Sequence, residues 1–201
     1  MESKKSVMDR AFLVGEKIYL RPLDMDDLDG DYIQWINDPE VTMFLDSPFP
    51  KTKEDLENYV KSVLKDPHYV FFAVVEKGTN RHIGNVKIGP INWIHRRTNF
   101  GRMLSKDYWG KGYGTEIIKL IVKYVFEQLN LNHILDFIVA DNIKAIKSNE
   151  KAGLDVEGNI KEYVYSNGKY RDVVILGLTR SRYEEKKQQF FKNSIFKERN
   201  K

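Results

Sequence analysis

The stretch with the clearest chemical potential is a glycine-rich loop in mid-chain, WGKGYGT at residues 109–115. It precedes a segment, residues 115–129, whose apolar side chains recur at helical spacing. Alternating glycines let several backbone N–H groups point into one concave space, and the start of a helix adds a partial positive charge. Lys111 adds a full charge. The loop therefore predicts an anion site for a phosphate or pyrophosphate group.

Two well-known phosphate loops do not fit this spacing. A Walker A loop has Ser or Thr directly after its Gly-Lys pair, whereas Gly112 follows Lys111 here. A dinucleotide-binding loop has its third glycine five residues after its first, and Thr115 occupies that position counted from Gly110. A tight turn without a ligand remains the alternative, because a glycine pattern alone is weak support for a site.

Composition and charge exclude several classes of site. The 201 residues contain no cysteine, which excludes disulfides, thiolate-bound metals and a cysteine nucleophile; the four histidines show no metal-ligand spacing, so we expect no metal. The net charge of +4 comes from the end of the chain, where residues 180–201 carry eight Lys or Arg against three Asp or Glu. A surface that binds nucleic acid should be basic over the folded body, so we expect no nucleic-acid partner. Without a long apolar span or a signal-peptide pattern, we also expect no membrane partner and a cytoplasmic location.

The elements that must position the glycine loop are strands and helices in mixed order. Strand patterns cover residues 17–21, 69–75, 83–91, 99–104, 134–140, 156–165 and 170–178. Helical patterns cover residues 32–36, 52–64, 115–129 and 142–151, with Thr52 and Gly153 as caps. The dipeptide Asn167-Gly168 predicts a hairpin. This order predicts an α+β (mixed α/β) fold in which the strands before and after the glycine loop are parallel neighbours.

Three motifs, in the right order, resemble the GNAT superfamily of acetyl-CoA-dependent N-acetyltransferases. The first is the loop, where Trp109 replaces the Gln or Arg that usually begins the pyrophosphate motif of the family. The second is the stretch 142–154, NIKAIKSNEKAGL, at the usual distance downstream. The third, residues 21–23 followed by 37–41, is similar to the branch that contains ribosomal-protein N-terminal acetyltransferases. The resemblance covers residues 12–180, which we take as the N-acetyltransferase domain, between an arm (1–11) and a basic C-terminal tail (181–201).

The resemblance implies a GNAT-like central mixed sheet of six to seven strands, with about four helices and a C-terminal helical tail. Acetyl-CoA, the cosubstrate, would lie in a V between the strands at 99–104 and 134–140. The amide of Leu104 would polarise the thioester carbonyl as an oxyanion donor. The residues implied to hold acetyl-CoA are Met103, Leu104, Trp109, Gly110, Lys111, Gly112, Tyr113, Gly114, Thr115, Asn142 and Lys147.

The usual acid and base of the family are replaced in this sequence. Asn149 stands where many members have a tyrosine that protonates the leaving thiolate, and Asn99 stands where many have a glutamate base. An amine attacks the thioester directly, so no nucleophilic side chain is required. The amine must arrive neutral, or another group must take its proton. The predicted catalytic residues are Leu104, Asn149, His95 and Asp172, with Tyr165 and Glu40 as further candidates for the base.

The acceptor site is expected to be built from residues 38–53, 93–97 and 165–170. These segments contain the aromatic residues Phe44, Phe49, Trp93, Tyr165 and Tyr170. Aromatic walls with polar groups suit a sugar, and residues 83–90 are similar to those of members that acetylate 4-amino sugars. We therefore expect a small primary amine such as a nucleotide-linked amino sugar.

Several alternatives to this acceptor stay open. They are protein N-terminal acetylation, a polyamine acceptor, and a CoA-binding module that has lost catalysis. A homodimer also stays open, because the apolar residues of the tail can dock either on the body or on a second subunit. Those residues are Tyr183, Phe190, Phe191, Ile195 and Phe196.

Overall fold

Eight strands form one sheet in the part of the chain that the computed structural model describes, residues 10–45, 49–166 and 168–191. They are β1 Leu13–Val14, β2 Ile18–Pro22, β3 Val70–Glu76, β4 His82–Ile88, β5 Arg97–Leu104, β6 His133–Val139, β7 Asp155–Ser166 and β8 Lys169–Thr179. The sheet order is β1-β2-β3-β4-β5-β6-β8-β7, and each neighbouring pair is antiparallel except β5 and β6. The predicted mixed sheet is confirmed, with one extra strand, because β1 is too short to show an alternating pattern.

Six α-helices lie in the same described ranges. They are α1 Tyr32–Asn37, α2 Pro39–Thr42, α3 Lys53–Lys65, α4 Tyr113–Glu127, α5 Ile143–Lys151 and α6 Arg180–Phe191. Thr52 begins α3 in a capping box with Asp55. Asp38 follows α1 and caps α2, which has Pro39 at its first position. The sequence pattern does not predict α2, because one helical turn is too short to show a periodicity.

The helices cover the two faces of the sheet separately. On one face, α4 buries Ile117, Ile121 and Val125 in the larger core cluster, which also contains Phe100 of β5. On the other face, α1 and α3 pack Trp35, Leu56 and Val60 around Phe71, Ala73 and Met103. The odd-numbered side chains of β5 therefore face α1 and α3, and the even-numbered ones face α4.

Strands β5 and β6 pair over three residue rows and then diverge. The paired residues are Arg97 with His133, Thr98 with Ile134 and Asn99 with Leu135. Beyond these rows β5 stays paired with β4, and β6 with β8. The two strands thus form the V that the resemblance implies.

The first half of the predicted tail packs on the body. Tyr183 is fully buried, stacks on Phe126 with ring centroids 4.8 Å apart, and donates a hydrogen bond of 2.8 Å to Glu127 Oε1. Arg180 begins α6 and donates to the carbonyl oxygens of Phe126 and Leu131. The predicted docking residues Ile195 and Phe196 lie outside the described residues.

Two features are absent from the described ranges. None of their helices combines the length and the apolar character that crossing a bilayer requires. Three metal-ligating side chains do not come together anywhere in these ranges.

Candidate active site

The hydrogen-bond register of β4 and β5 decides which backbone groups face the V. The N–H of Ser105 donates to Ile83 O at 2.9 Å, and the N–H of Gly89 donates to Asn99 O at 2.8 Å. Hydrogen-bonded rows alternate in an antiparallel pair, so odd-numbered residues of β5 bond to β4. The backbone N–H and C=O groups of the even-numbered residues point towards β6, where the partner strand has diverged.

This register separates the two residues of β5 that were predicted to hold acetyl-CoA. The amide of Leu104 faces the V, as an oxyanion donor requires. The backbone of Met103 faces β4 instead, in the row of Asn85, and its side chain lies in the core cluster under α1 and α3. Arg102, which the sequence did not single out, presents the second backbone amide to the V.

Trp109 links the glycine loop to the end of β5. Its indole N–H donates to the carbonyl oxygen of Leu104 at 2.9 Å. That bond satisfies the carbonyl oxygen and leaves the amide of Leu104 as the group offered to a ligand. The tryptophan that replaces the usual first residue of the motif therefore positions the loop.

Backbone conformation and close packing explain why the loop contains glycines. Gly110 and Gly112 have φ angles of 74° and 90°, which favour glycine, and Gly112 caps α4. Gly114 lies where α4 meets α5, and a Cβ there would lie 3.2 Å from Ser148 Oγ. The amides in the first turn of α4, from Tyr113 to Thr115, have no intrahelical acceptor. They are the donors that an anion needs.

The side chains of Tyr113 and Thr115 form contacts within the protein and do not take part in anion binding. The Tyr113 hydroxyl donates to Glu76, and that hydrogen bond raises the pKa of Tyr113 to about 12. Thr115 Oγ1 lies 3.2 Å from Ser148 Oγ, at the contact between α4 and α5. Both residues therefore contribute backbone amides, while their side chains secure the helix.

Three ammonium groups surround the loop, and the sequence predicted one of them. Lys111 Nζ lies over the ring of Tyr108, 5.3 Å from its centroid. Lys17 Nζ donates to Lys111 O at 3.2 Å, and Lys144 Nζ lies 5.8 Å from the ring centroid of Trp109. None of the three forms an ion pair with a described residue. Together with the helix amides they fit a pyrophosphate group.

Two further residues predicted to bind acetyl-CoA lie on α5. Asn142 caps this helix, and its side chain accepts a hydrogen bond of 3.2 Å from the N–H of Ala145. Lys147 is exposed on the same helix, and no ion pair joins it to a described residue. The structure gives Asn142 a capping role and leaves Lys147 available to a phosphate.

A buried ion pair closes one side of the V. Arg102 Nη1 lies 3.0 Å from Asp136 Oδ2, which joins β5 to β6 where their backbones have separated. Asn149 donates its Nδ2 to the same carboxylate at 2.9 Å and to Ala145 O at 3.0 Å. Burial raises the pKa of Asp136, and the positive charge of Arg102 opposes that shift. Because both amide hydrogens of Asn149 are engaged, this residue positions Asp136 and cannot donate to a leaving thiolate.

The other two predicted catalytic side chains do not supply a free base. His95 is exposed in the turn before β5, and β5 itself spans about 23 Å from Arg97 to Leu104 at about 3.3 Å per residue. Asp172 accepts hydrogen bonds from Lys161 Nζ at 2.7 Å and from the Glu162 amide at 3.0 Å. The Lys161 hydrogen bond lowers the pKa of Asp172, which makes it a weaker base. The structure therefore does not bring a base from this pair to the V.

The acceptor side of the V is an open groove over Gly101 and Phe137. A Cβ at Gly101 would meet no atom within 4 Å, and Phe137 of β6 is 43% exposed. At the Leu104 end, Ser166 Oγ donates to Met43 O at 3.3 Å, which joins the β7–β8 hairpin to the segment after α2. Two of the three segments predicted for the acceptor site thus meet. The third, residues 93–97, lies at the opposite end of β5.

The aromatic residues predicted for the acceptor site likewise do not all lie at the same end of β5. Tyr165 and Tyr170 are exposed on the hairpin, with ring centroids 5.2 Å apart. Phe44 is half-buried after α2, and Phe49 is exposed. Trp93 lies in the distant turn, so it does not line the Leu104 end of the groove.

Three comparisons place this geometry among known proteins. The acetyltransferase (GNAT) domain profile matches residues 17–155. The chain belongs to the GNAT family. This acetyltransferase is 30% identical to the spermidine N(1)-acetyltransferase of Vibrio cholerae, over 85% of this chain and 97% of the relative. It is also 30% identical to the Escherichia coli K12 spermidine N(1)-acetyltransferase, over 83% and 88%.

A solved structure of the same kind shares the fold. The Vibrio cholerae spermidine N-acetyltransferase in complex with CoA and spermine superposes with a TM-score of 0.78 and 27% identity, over 84% of this chain and 98% of that one. The GNAT protein described here is an acetyl-CoA-dependent N-acetyltransferase, with acetyl-CoA as its cosubstrate. Its amine acceptor is the remaining question.

Proposed function

We propose that this acetyltransferase transfers an acetyl group to a primary amine of a small molecule, by direct attack of the amine on the thioester. The observation that carries the proposal is the amide of Leu104, which faces the V while its carbonyl oxygen is bonded to Trp109. The open floor at Gly101 lies three residues earlier in β5, about 10 Å away at about 3.3 Å per residue. An amine and a thioester can meet at Leu104 without a nucleophilic side chain.

The residues of the chain have distinct tasks in this reaction. Acetyl-CoA supplies the activated acetyl group. The first-turn amides of α4 and the nearby Lys17, Lys111 and Lys144 hold its pyrophosphate. The amide of Leu104 donates to the thioester oxygen as negative charge develops on it.

The amine reaches the thioester as a free base. On the face of β4 and β5 that continues into the groove, the residues are Asn85, Lys87, Asn99, Gly101 and the buried Met103, and none of these is acidic. Asp172 is engaged by Lys161, and His95 lies at the far end of β5. Glu40, another residue predicted as a base, lies 3.6 Å from Lys106 Nζ, which also pairs with Asp38 at 2.9 Å. Because each of these candidate bases is engaged or distant, deprotonation of the ammonium in solution precedes attack.

A polyamine is the second candidate acceptor. It is favoured by the relatives, since two proteins 30% identical to this chain are spermidine acetyltransferases and a related structure holds spermine. Amino sugars and N-terminal peptides complete the set of acceptors to compare. They can all be tested in one assay of thiol release.

The experiment first measures thermal stability with acetyl-CoA, CoA or ATP, and then thiol release with each amine. We expect stabilisation by acetyl-CoA and CoA but not by ATP, and faster thiol release with small amines than with peptides. Leu104→Pro removes the proposed oxyanion donor without breaking a bond to β4, so kcat should fall by about 10²–10³-fold. Leu104→Ala keeps the amide and is the control. Thiol release from no amine, despite CoA binding, would show a binding module.

A further inference from the structure

Lys87 is a cation without a counter-ion beside the acceptor groove. Its Nζ donates to Tyr59 Oη at 2.7 Å and lies 5.1 Å and 5.3 Å from the ring centroids of Tyr59 and Tyr69. No carboxylate of the described residues forms an ion pair with it. Aromatic faces and a hydroxyl hold the ammonium in place but leave its positive charge uncompensated.

The position of Lys87 places that charge on the groove floor. Lys87 of β4 pairs with Gly101 of β5, so the two residues share one face of the sheet. The space above Gly101 is open, since a Cβ there would meet no atom within 4 Å. The charge of Lys87 therefore acts on an acceptor that lies along this floor.

Asn85 adds an unpartnered donor on the same face. It is 3% exposed, and its Oδ1 lies 2.8 Å from His82 Nε2, which also lies 2.9 Å from Gly84 O. Both neighbours are acceptors, so Nε2 carries the proton and fixes the orientation of the Asn85 amide. Asn85 Nδ2 is then buried without a hydrogen-bond partner among the described residues. Buried donors are normally bonded, so this group points to a ligand atom.

These groups follow one another along the groove in a fixed order. Asn85 lies in the row next to Leu104, and Lys87 lies about 7 Å further along β4, since alternate residues of a strand are about 6.6–6.8 Å apart. The oxyanion donor, a neutral donor and a free cation thus lie within about three residue rows. A second ammonium of a polyamine would be repelled at Lys87, whereas an anion would be bound.

We propose that the acceptor is a primary amine that also carries a phosphate, as in a phosphorylated or nucleotide-linked amino sugar. This inference rests on the proposed function and names its substrate class. The amine lies at Leu104, a hydroxyl or carbonyl oxygen accepts from Asn85, and the phosphate lies at Lys87 beside the Tyr59 hydroxyl. Lys87 is the residue that determines specificity.

The test compares kcat/KM at saturating acetyl-CoA for glucosamine, glucosamine 1-phosphate, a UDP-linked amino sugar and spermidine. We expect the phosphorylated amines to exceed glucosamine at least about tenfold, the effect of one charge-assisted contact. Glucosamine 1-phosphate and the UDP-linked sugar distinguish a simple phosphate from a nucleotide. Lys87→Gln should reduce the ratio of phosphorylated to unphosphorylated amine at least about tenfold, and Lys87→Arg should restore it. Lys87→Glu should shift the preference towards spermidine.

Lys65→Gln is the matched control, because Lys65 is an exposed lysine at the end of α3. It should leave the ratio unchanged, and thermal denaturation should show that each variant folds. A ratio that does not change in Lys87→Gln overturns the inference, and so does a wild-type preference for spermidine. In either case acetyl transfer to the other amines leaves the proposed function standing.

Binding measurements distinguish a failure of this inference from a failure of the proposed function. If no amine is acetylated, calorimetry with CoA-saturated protein still measures the affinities for glucosamine and glucosamine 1-phosphate. A preference for the phosphate that depends on Lys87 would support the anion site while the proposed function fails. Equal affinities, or no binding of either sugar, would overturn the inference.

Discussion

Arg102→Met is the substitution whose effect the structure predicts most sharply. It keeps an unbranched apolar stem but removes the guanidinium that lies 3.0 Å from Asp136. The side chains of the pair are 11% and 8% exposed, so water cannot replace the lost partner. Asp136 would retain Asn149 as a neutral side-chain donor. The variant thus leaves a carboxylate buried without a cation.

The expected cost is large compared with the total stability of a domain. Breaking a buried pair by removing one partner costs about 3–5 kcal/mol, out of a typical total of about 5–15 kcal/mol. At about 2–4 °C per kcal/mol for a chain of this size, Tm should fall by about 6–20 °C. The double variant Arg102→Met/Asp136→Leu should recover most of this loss, because it leaves no buried charge.

The loss should also depend on pH with a definite sign. Burial raises the pKa of Asp136 in the folded protein, so its ionisation costs stability as pH rises through that pKa. Arg102 opposes the shift, and without it the pKa rises further. The stability difference between variant and wild type should therefore be small at acid pH, where Asp136 is protonated in both, and should grow towards neutral pH.

Urea denaturation followed by circular dichroism at several pH values measures both effects. Lys61→Met is the matched control, because Lys61 pairs with Glu57 at 3.2 Å on the exposed side of α3. It should cost at most about 1 kcal/mol. A cost below about 1 kcal/mol for Arg102→Met, with no dependence on pH, would refute the role of the pair.

Three more outcomes are expected. Gly112→Val should weaken CoA binding at least about tenfold in calorimetry, because a side chain strains the positive φ that shapes the loop; Gly168→Val, with a similar φ in the β7–β8 hairpin on the acceptor side, should not. Tyr183→Ala should cost about 3–5 kcal/mol in thermal denaturation, since it empties a fully buried site, whereas Tyr163→Ala at a residue 60% exposed should stay within about 0.5 kcal/mol. The kcat/KM should rise with pH up to the pKa of the acceptor amine, and an inflection that is the same for two amines of different pKa would show a base on the enzyme.

Local signals in the sequence predicted the features that depend on a few neighbouring residues. Thr52 forms its cap, and Gly153 has a φ of 91° directly after α5. Ser166 and Lys169 pair across the predicted hairpin, although Asn167 lies outside the described residues. The divergence of β5 and β6 followed from the family resemblance, because strand pairing over long separations leaves no periodic signal.

The remaining parts of the site depend on contacts that no local pattern records. Lys17 reaches the loop from 94 residues away, and Arg102 meets Asp136 from 34 residues away. Their residue types are ordinary in a strand or a turn, so no local pattern distinguishes them from their neighbours. Asn149 was selected by position in a motif, but its two hydrogen bonds depend on the placement of β6. The turn that holds His95 was correctly placed, yet the direction of β5 carries it away from Leu104.

The divergence of β5 and β6 has a consequence for self-association. A sheet normally exposes unpaired backbone at its two outer margins, where another chain can add as an extra strand. Here a third margin lies inside the sheet, where β5 beyond Asn99 and β6 beyond Leu135 have no mutual partner. The Arg102–Asp136 ion pair crosses this margin on one face of the sheet, and α4 packs on the same face, which disfavours the addition of a second polypeptide strand. A slender ligand with amide groups can still add there, so this interior margin favours ligand binding without exposing the protein to aggregation at that point.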